Sequence, residues 1–451
     1  HQFIDIDNPA CGAQGMASIQ PIGHQALNAL KSNPSNSLQD SSVGVGPITA
    51  PLIGVTLGDP SGIGPEVVLQ CFLSQPLLMA NALVFTYRSV AERAMAFADP
   101  QGRLCLVPMR LQRAKKSITG GDLAGSWQAV PVSQEAFDPN VLSGRTPVLM
   151  VDLGELSEEA RETFLLTHWP MSAPSLEDLA PLGQINAQSG EIAARAVVAA
   201  SRAALLGVTR ALVTAPLHKE SLAMAAWPFP GYTELLQAEC ARFFSKTLEH
   251  MPVRMMLKNR ELAVVLVSIH VSLRQAIERV TFNNVLATLE ITHRALSRTL
   301  GRAPKMALSA LNPHAGEGGL MGREEEEVLK PVVIRALEMG LDVQGPFAPD
   351  TIYMRVRQEG LKSKGLLSNG PVLTAKPFDV VVSMYHDQGL IPVKYLGLDQ
   401  GVNVTLGLPL IRTSPDHGTA FDLAGTGQAN EGSFMEAYQE AQNMVLCAQA
   451  A

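Results

Sequence analysis

Three histidines stand just beyond short apolar runs that are rich in β-branched residues: His270, His314 and His386. Ligands of open α/β sheets bind beyond the carboxyl ends of strands, so three imidazoles at such ends could meet at one point. Three imidazoles with an open fourth position suit a catalytic divalent ion, most often zinc. A lone histidine at a strand end is more often a structural residue, and His218 occupies a similar place. At this point the metal site is one of two open interpretations.

Polar residues in apolar surroundings provide a second group of candidates. Lys394, Asn403 and Arg412 are each embedded in apolar sequence. A cation in such surroundings requires an anionic partner. That partner is either the phosphate or carboxylate of a substrate, for which arginine is well shaped, or an internal carboxylate. The residues alone favour neither alternative.

A glycine-rich turn, Gly58–Glu66, joins a predicted strand to a predicted helix. Pro65 suits the first turn of that helix, where a missing N–H costs nothing. A helix N-terminus after such a turn can bind an anion, although most glycine turns are purely architectural. The segment lacks the GxGxxG pattern, so it does not indicate a Rossmann domain.

The elements that must position these residues are short strands that alternate with helices. Strands are predicted at Ile53–Leu57, Ala211–Thr214, Ala263–Ile269, Lys305–Ala310, Val380–Met384 and Val402–Leu406. Helices are predicted at Ala187–Leu206 and Glu324–Met339. Such alternation is typical of α/β proteins with mostly parallel sheets covered by helices.

Composition argues against several classes of protein. The chain has 451 residues, of which 46% are hydrophobic and 17% are charged, and its net charge is −7. No basic stripe indicates a nucleic-acid partner, and no apolar run approaches the roughly 20 residues of a membrane span. The five scattered cysteines form no CxxC pair, and the first residues do not resemble a secretory signal. We therefore expect a cytoplasmic protein that binds neither nucleic acid nor membrane.

Three segments differ in composition and pattern from the rest of the chain. Residues 1–50 are polar and turn-rich, and we expect them to be a mobile N-terminal extension. Residues 112–181 and 357–376 are predicted to be insertions made largely of loops.

Six segments together resemble one family, in the expected order along residues 51–445: Gly58–Glu66, Thr214–Lys219, Asn312–Gly319, Tyr385–Leu390, Gly401–Leu410 and Arg412–Gly425. The family is 4-hydroxythreonine-4-phosphate dehydrogenase, which is related to the isocitrate and isopropylmalate dehydrogenases. The resemblance implies an α/β fold in which two α/β/α domains flank a cleft, rather than a Rossmann domain. Residues 51–205 and 395–451 would form the first domain, and residues 206–394 the second.

The resemblance also implies roles for individual residues. The metal ligands would be His270, His314 and His386. The substrate would contact Tyr232, Thr233, Lys394, Asn403 and Arg412. The nucleotide would lie on Asp416, His417, Gly418, Thr419 and Ala420, and proton transfer would involve Lys219, Asp350 and Asp387. The family forms a homodimer that shares its active site, so the metal ligands would come from both chains.

The implied reaction is the NAD- or NADP-dependent oxidation of 4-phosphohydroxy-L-threonine in pyridoxal phosphate synthesis. A divalent ion would lower the pKa of the substrate hydroxyl, with Zn²⁺ expected first and Mg²⁺, Mn²⁺ or Co²⁺ as alternatives. The 2-amino-3-oxo-4-phosphooxybutanoate formed would then lose CO₂ to give 3-amino-2-oxopropyl phosphate.

One residue departs from the family pattern. Where the family has Gly-His-Thr-Glu, with the histidine on the substrate, this chain has Gly231-Tyr232-Thr233-Glu234. Tyrosine keeps a hydrogen-bonding tip but carries no charge near neutral pH. One alternative is therefore a sibling dehydrogenase that acts on a threonate-type phosphate or a dihydrodiol dicarboxylate. Another is a metal-dependent hydrolase that uses the same histidines to activate water.

Overall fold

A computed structural model describes residues 50–114, 126–165, 173–364, 377–397 and 400–450. Those residues all belong to one compact unit. The predicted N-terminal extension lies outside the described residues except for its last one, Ala50. Parts of the two predicted insertions, residues 115–125, 166–172 and 365–376, also lie outside them.

The described strands form a single mixed sheet. They are β1 (Ile53–Thr56), β2 (Ala82–Thr86), β3 (Leu104–Arg113), β4 (Trp127–Pro131), β5 (Thr146–Asp152), β6 (Ala211–Thr214), β7 (Arg254–Lys258), β8 (Ala263–Leu266), β9 (Met306–Ser309), β10 (Val343–Phe347), β11 (Val380–Ser383), β12 (Val402–Leu406) and β13 (Ile411–Pro415). Their order across the sheet is β10-β9-β11-β8-β7-β12-β13-β6-β1-β2-β5-β3-β4. This is not the 3-2-1-4-5-6 order of a Rossmann sheet.

The direction of the strands changes in the middle of the sheet. On one side, β13, β6, β1, β2, β5 and β3 pair in parallel, and on the other side β8, β11, β9 and β10 do so. Between them, β12 is antiparallel to both β13 and β7, and β7 is antiparallel to β8. Within each half, the carboxyl ends of neighbouring strands therefore lie at one edge.

The described α-helices connect and cover these strands. They are α1 (Gly64–Ser74), α2 (Arg88–Ala98), α3 (Pro139–Leu142), α4 (Glu158–Phe164), α5 (Ala187–Leu205), α6 (Lys219–Met224), α7 (Tyr232–Phe243), α8 (Leu273–Glu278), α9 (Phe282–Leu300), α10 (Lys330–Glu338), α11 (Ile352–Ser363), α12 (His386–Tyr395) and α13 (Gly432–Ala450). Short 3₁₀ turns and one π-turn, Glu325–Leu329, complete them. Each of these helices is too short or too polar to cross a membrane.

The core lies at the centre of the sheet, where strands are covered on both faces. Every residue of β1, β2 and β6 is buried, which explains why these strands read as continuous apolar runs. Helix α5 packs there through small side chains, and six of its eight alanines are buried. It begins where the Asn186 side chain accepts a hydrogen bond from the Ser189 N–H at 2.8 Å.

The α/β prediction is confirmed, and so is the prediction of mostly parallel strand pairs. All six predicted strands are present within three residues of their predicted ends, and helix α5 ends one residue early. The prediction that residues 112–181 and 357–376 are largely loops was wrong where the structure describes them. Strands β4 and β5 and helix α4 lie in the first segment, and α11 extends into the second. The division into two domains stays a prediction, since one sheet runs through both.

Candidate active site

A cavity of about 680 Å³ opens between the two halves of the sheet. Ten of the residues singled out from the sequence line it: Lys219, Tyr232, Thr233, His270, His386, Lys394, Asn403, Arg412, Asp416 and His417. The described lining also includes Thr214, Glu234 and Arg279. The cationic side chains of lysine and arginine outnumber the carboxylates, which suits a substrate with more than one negative charge.

Six of the predicted site residues are not part of that lining: His314, Asp350, Asp387, Gly418, Thr419 and Ala420. Asp350 is exposed in the turn before α11. Asp387 is exposed beside His386, and the last three belong to the loop that follows β13.

Arg412 is the most unusual side chain of the cavity, because it is only 5% exposed. Its two terminal nitrogens donate to the hydroxyls of Thr405 at 3.1 Å and Thr214 at 2.8 Å, while the buried Nε–H has no partner. No carboxylate of the described residues forms an ion pair with it within 4.0 Å. Burial lowers the pKa of Arg412 to about 10, against smaller opposite effects of Tyr232 and Glu234. The guanidinium is therefore charged at neutral pH and lacks a counter-ion.

The first turn of α7 lines the same cavity as this arginine. The helix begins at Tyr232, after Gly231 in extended conformation, and no side chain caps its first N–H groups. Tyr232 is 7% exposed, and its buried hydroxyl has no hydrogen-bond partner. Burial raises the pKa of Tyr232, the charge of Asp59 raises it further, and Arg412 lowers it. The phenol thus stays protonated and can donate a hydrogen bond into the cavity.

Two of the three predicted metal ligands meet in the cavity. The rings of His270 and His386 lie 5.6 Å apart, centre to centre. Their strands are joined beneath them, since the Val267 N–H donates to the Ser383 carbonyl at 2.9 Å. The pKa of His270 is lowered by burial and by the charges of Lys219 and His386, with Glu234 opposing. A neutral imidazole is the form that binds a metal, so His270 fits such an ion.

Asp387 and Gln388 fix the second of these histidines. The Asp387 carboxylate lies 2.7 Å from Nδ1 of His386, which leaves Nε2 directed elsewhere. Gln388 donates to the Ala310 carbonyl at 2.7 Å and accepts from the Met384 N–H at 2.7 Å. These bonds tie the start of α12 to the end of β9. Asp387 accordingly orients the His386 ring, as carboxylates do beside histidines that bind metals.

His314 lies in a strained loop after β9. Residues 314–318 all have positive φ, which only glycine adopts without cost. The buried carboxylate of Glu325 holds the start of this loop by accepting from the N–H groups of Leu311 and Asn312 at 2.9 and 2.8 Å. Within the described part of one chain, no three His, Cys, Asp or Glu side chains converge on a common point. One chain thus brings together two of the three imidazoles.

A salt bridge spans the cavity. Nζ of Lys394, in the last turn of α12, lies 2.8 Å from the carboxylate of Asp416, which follows β13. The pair joins a predicted substrate residue to a predicted nucleotide residue. An anion that binds Lys394 must therefore compete with Asp416 or share the lysine with it.

The glycine-rich turn supports the loop after β13. The Ile63 N–H donates to the Thr419 carbonyl at 3.0 Å, and a Cβ at Gly62 would lie 2.8 Å from that carbonyl oxygen. The buried Glu66 carboxylate accepts from the N–H groups of Gly425 and Gly427. The turn thus makes its contacts with the loop of the same chain. The architectural interpretation of Gly58–Glu66 accounts for these contacts.

Sequence reasoning assigned no role to Glu234, Thr214 or Arg279, although all three line the cavity. Glu234 follows Thr233 directly, and Thr214 ends a predicted strand, so both were adjacent to assigned residues. Arg279 follows the short helix α8 and carries no local signal.

Comparisons with known proteins agree with this arrangement. A family model described as "Pyridoxal phosphate biosynthetic protein PdxA" matches residues 134–441. A 4-hydroxythreonine-4-phosphate dehydrogenase of Geobacter metallireducens is 38% identical, over 88% of this chain and 96% of the relative. A D-threonate 4-phosphate dehydrogenase of Salmonella typhimurium is 34% identical, over 84% and 95%. The crystal structure of a 4-hydroxythreonine-4-phosphate dehydrogenase from Klebsiella pneumoniae is 31% identical, over 88% and 98%, with a TM-score of 0.65.

The fold and the similar proteins define the class first, and it is that of an α/β dehydrogenase. Within that class, the chain belongs to the PdxA family of pyridoxal phosphate biosynthetic proteins.

Proposed function

We propose that the protein oxidises 4-phosphohydroxy-L-threonine with NAD⁺ or NADP⁺ in pyridoxal phosphate synthesis. The buried, unpaired guanidinium of Arg412 is the observation that carries the proposal, because it requires an anion from the ligand. Lys394 provides a second cation, and the substrate carries a carboxylate and a phosphate for them. The resulting 2-amino-3-oxo-4-phosphooxybutanoate is a β-keto acid, which loses CO₂ to give 3-amino-2-oxopropyl phosphate.

In the reaction, the hydride of the secondary alcohol passes to the nicotinamide ring, and the hydroxyl proton passes to a group of the protein. Lys219 is our proposed holder of that proton, because it lines the cavity close enough to influence His270. Arg412, Tyr232, Thr233 and Asn403 would hold the substrate, and the loop Asp416–Ala420 would hold the nucleotide. We expect the reaction to occur in the cytoplasm, in a homodimer.

A divalent ion would be held by His270 and His386 of one chain and by His314 of a second copy. When bound, such an ion lowers the pKa of the substrate hydroxyl and stabilises the enolate charge left after CO₂ departs. The imidazole donors favour Zn²⁺ or Co²⁺ over Mg²⁺ or Mn²⁺. The choice between NAD⁺ and NADP⁺ is left to the assay.

A second candidate is D-threonate 4-phosphate, the substrate named for one of the relatives. Tyr232 favours it as an alternative, because a buried neutral phenol replaces the expected imidazole. A dihydrodiol dicarboxylate would be tried after these two.

The test is NAD(P)H absorbance with 4-phosphohydroxy-L-threonine, before and after chelation and after Zn²⁺ is restored. Reduction that disappears with the chelator and returns with Zn²⁺ would support the proposal. Folded, zinc-supplied protein that reduces neither nucleotide would contradict it. Water-dependent cleavage of the phosphate without a nucleotide would favour a hydrolase instead.

A further inference from the structure

The carboxylates of the cavity differ in their surroundings. Among its described lining residues, Asp416 and Glu234 are the acidic ones. Asp416 is neutralised by Lys394 at 2.8 Å. Glu234, half-buried in the first turn of α7, has no ion pair within 4.0 Å and no side-chain hydrogen bond in the described part of the chain. A carboxylate left in this state inside a cavity is available to a cationic group of the ligand.

Glu234 also lies close to the buried guanidinium. It is near enough to Arg412 to raise its pKa, although burial has the larger and opposite effect. A Cβ added at Gly231 would lie 3.4 Å from the Glu234 carboxylate, and the Lys219 side chain lies near the same point. The same cavity is therefore lined by a cation and an anion that form no ion pair with any described residue. An α-amino acid carries the complementary pair, a carboxylate and an ammonium group, on one carbon atom.

We propose that Glu234 binds the ammonium group of the substrate and thereby selects a 2-amino acid over the corresponding 2-hydroxy acid. This inference rests on the proposed function, and it separates the two substrates that relatives are named for. 4-Hydroxythreonine 4-phosphate carries an amino group at C2, whereas D-threonate 4-phosphate carries a hydroxyl. The unpaired carboxylate attracts the first at that position and repels the second, whose only charges are negative.

The experiment compares kcat/KM for both substrates in the wild type and in Glu234→Gln, which keeps the shape of the side chain. We expect the wild type to prefer the amino substrate. In E234Q, kcat/KM for the amino substrate should fall at least tenfold, while that for D-threonate 4-phosphate should stay unchanged or rise. Glu249→Gln is the matched control, since Glu249 is exposed outside the cavity and its replacement removes the same charge.

Equal losses for both substrates in E234Q would overturn the inference and would assign Glu234 to chemistry or folding instead. A wild type that prefers D-threonate 4-phosphate would also overturn it, while the dehydrogenase activity itself would stand. If the wild type oxidises neither compound, the proposed function has failed. Calorimetric binding of the two compounds then tests the inference about Glu234 separately. The inference requires E234Q to weaken binding of the amino compound alone. Absence of binding to the wild type refutes it.

Discussion

At the scale of single residues, Arg412 shows why a buried charge indicates function. Internal ion pairs are the usual explanation for an arginine in apolar sequence, yet the described structure gives Arg412 two threonine hydroxyls and no carboxylate. Hydroxyls satisfy donors without neutralising charge, so the desolvation of this guanidinium is not offset within the chain. In the proposed function, Arg412 serves the ligand at some expense of stability.

We therefore predict opposite effects of Arg412→Met on activity and on stability. kcat/KM should fall about 30-fold or more, because loss of a buried charge-assisted contact typically costs ~2–5 kcal/mol. The melting temperature should not fall, because the variant removes an unpaired buried charge. Arg294→Met on the exposed face of α9 is the control and should change neither quantity. A variant that melts early while retaining activity would assign Arg412 a structural role.

Two buried tyrosines provide a matched pair of tests. The hydroxyl of Tyr232 has no partner in the chain, whereas that of Tyr438 donates to Asn81 at 2.9 Å. Tyr232→Phe should lower kcat/KM severalfold and leave stability unchanged or higher, because no internal hydrogen bond is lost. Tyr438→Phe should lower the free energy of unfolding by about 1 kcal/mol and leave kinetics unchanged. Denaturant unfolding and steady-state kinetics measure both, and the reverse pattern would refute our interpretation of Tyr232.

At the scale of elements, the loop after β13 packs closely against Gly62 of the glycine-rich turn. A Cβ on Gly62 would lie 2.8 Å from the Thr419 carbonyl oxygen, so Gly62→Ala must displace that loop. We predict a loss of about 1–3 kcal/mol of stability from overpacking and a several-fold higher KM for the nucleotide. KM for the substrate should change less.

Gly360→Ala, in α11, is the control for that substitution. Apart from the backbone of α11 itself, a Cβ at Gly360 would have only one neighbour within 4 Å, at 3.9 Å. It should leave both KM values unchanged. A higher KM for the substrate alone in Gly62→Ala would mean that this loop does not hold the nucleotide.

The elements that could be predicted from the sequence are those whose pattern follows from burial. Strands such as β6 and β11 are predominantly apolar because both their faces are covered. Strand β4 was missed because it is mostly half-buried at the sheet edge and shows no clear alternation. The reversal of direction combines two local antiparallel pairs, β7 with β8 and β12 with β13, with the pairing of β7 and β12. The last pair joins segments far apart in sequence, which no local pattern encodes.

The site could be predicted only in part, for a similar reason. His270 and His386 were found because they follow strands with clear boundaries, and Lys394 because it is a cation in apolar sequence. All three line the cavity. Glu234 received no role, since an acidic residue in the first turn of a helix is common for reasons of capping and dipole. Its meaning depends on what the folded chain leaves unpaired around it. The missing counter-ion of Arg412 is equally a property of the folded chain.

At the scale of the whole molecule, the two halves of the sheet contribute different chemistry to the cavity. Strands β8 and β11 lead to the two imidazoles, while β13 and β6 contribute Arg412 and Thr214. The salt bridge between Lys394 and Asp416 links the two halves directly. A change in the relative position of the halves would therefore move the two imidazoles relative to Arg412 and Thr214.

The position of His314 allows a test of how many chains form one active site. It does not line the cavity that His270 and His386 share, so we predict that a three-histidine site takes His314 from a second copy. The homodimers His270→Ala and His314→Ala should each be inactive. Mixed by co-refolding, they should recover about a quarter of the wild-type activity and metal content, since half the dimers are mixed and each contains one intact site.

Mixing His270→Ala with His386→Ala is the discriminating control. Both residues come from the same chain, so no mixed dimer of these variants contains an intact site. Recovery in the first mixture and none in the second would establish a site shared between chains. If neither mixture recovers while mass measurement shows mixed dimers, the three histidines do not form one shared centre, and His314 would have to reach the cavity within its own chain or lie outside the site.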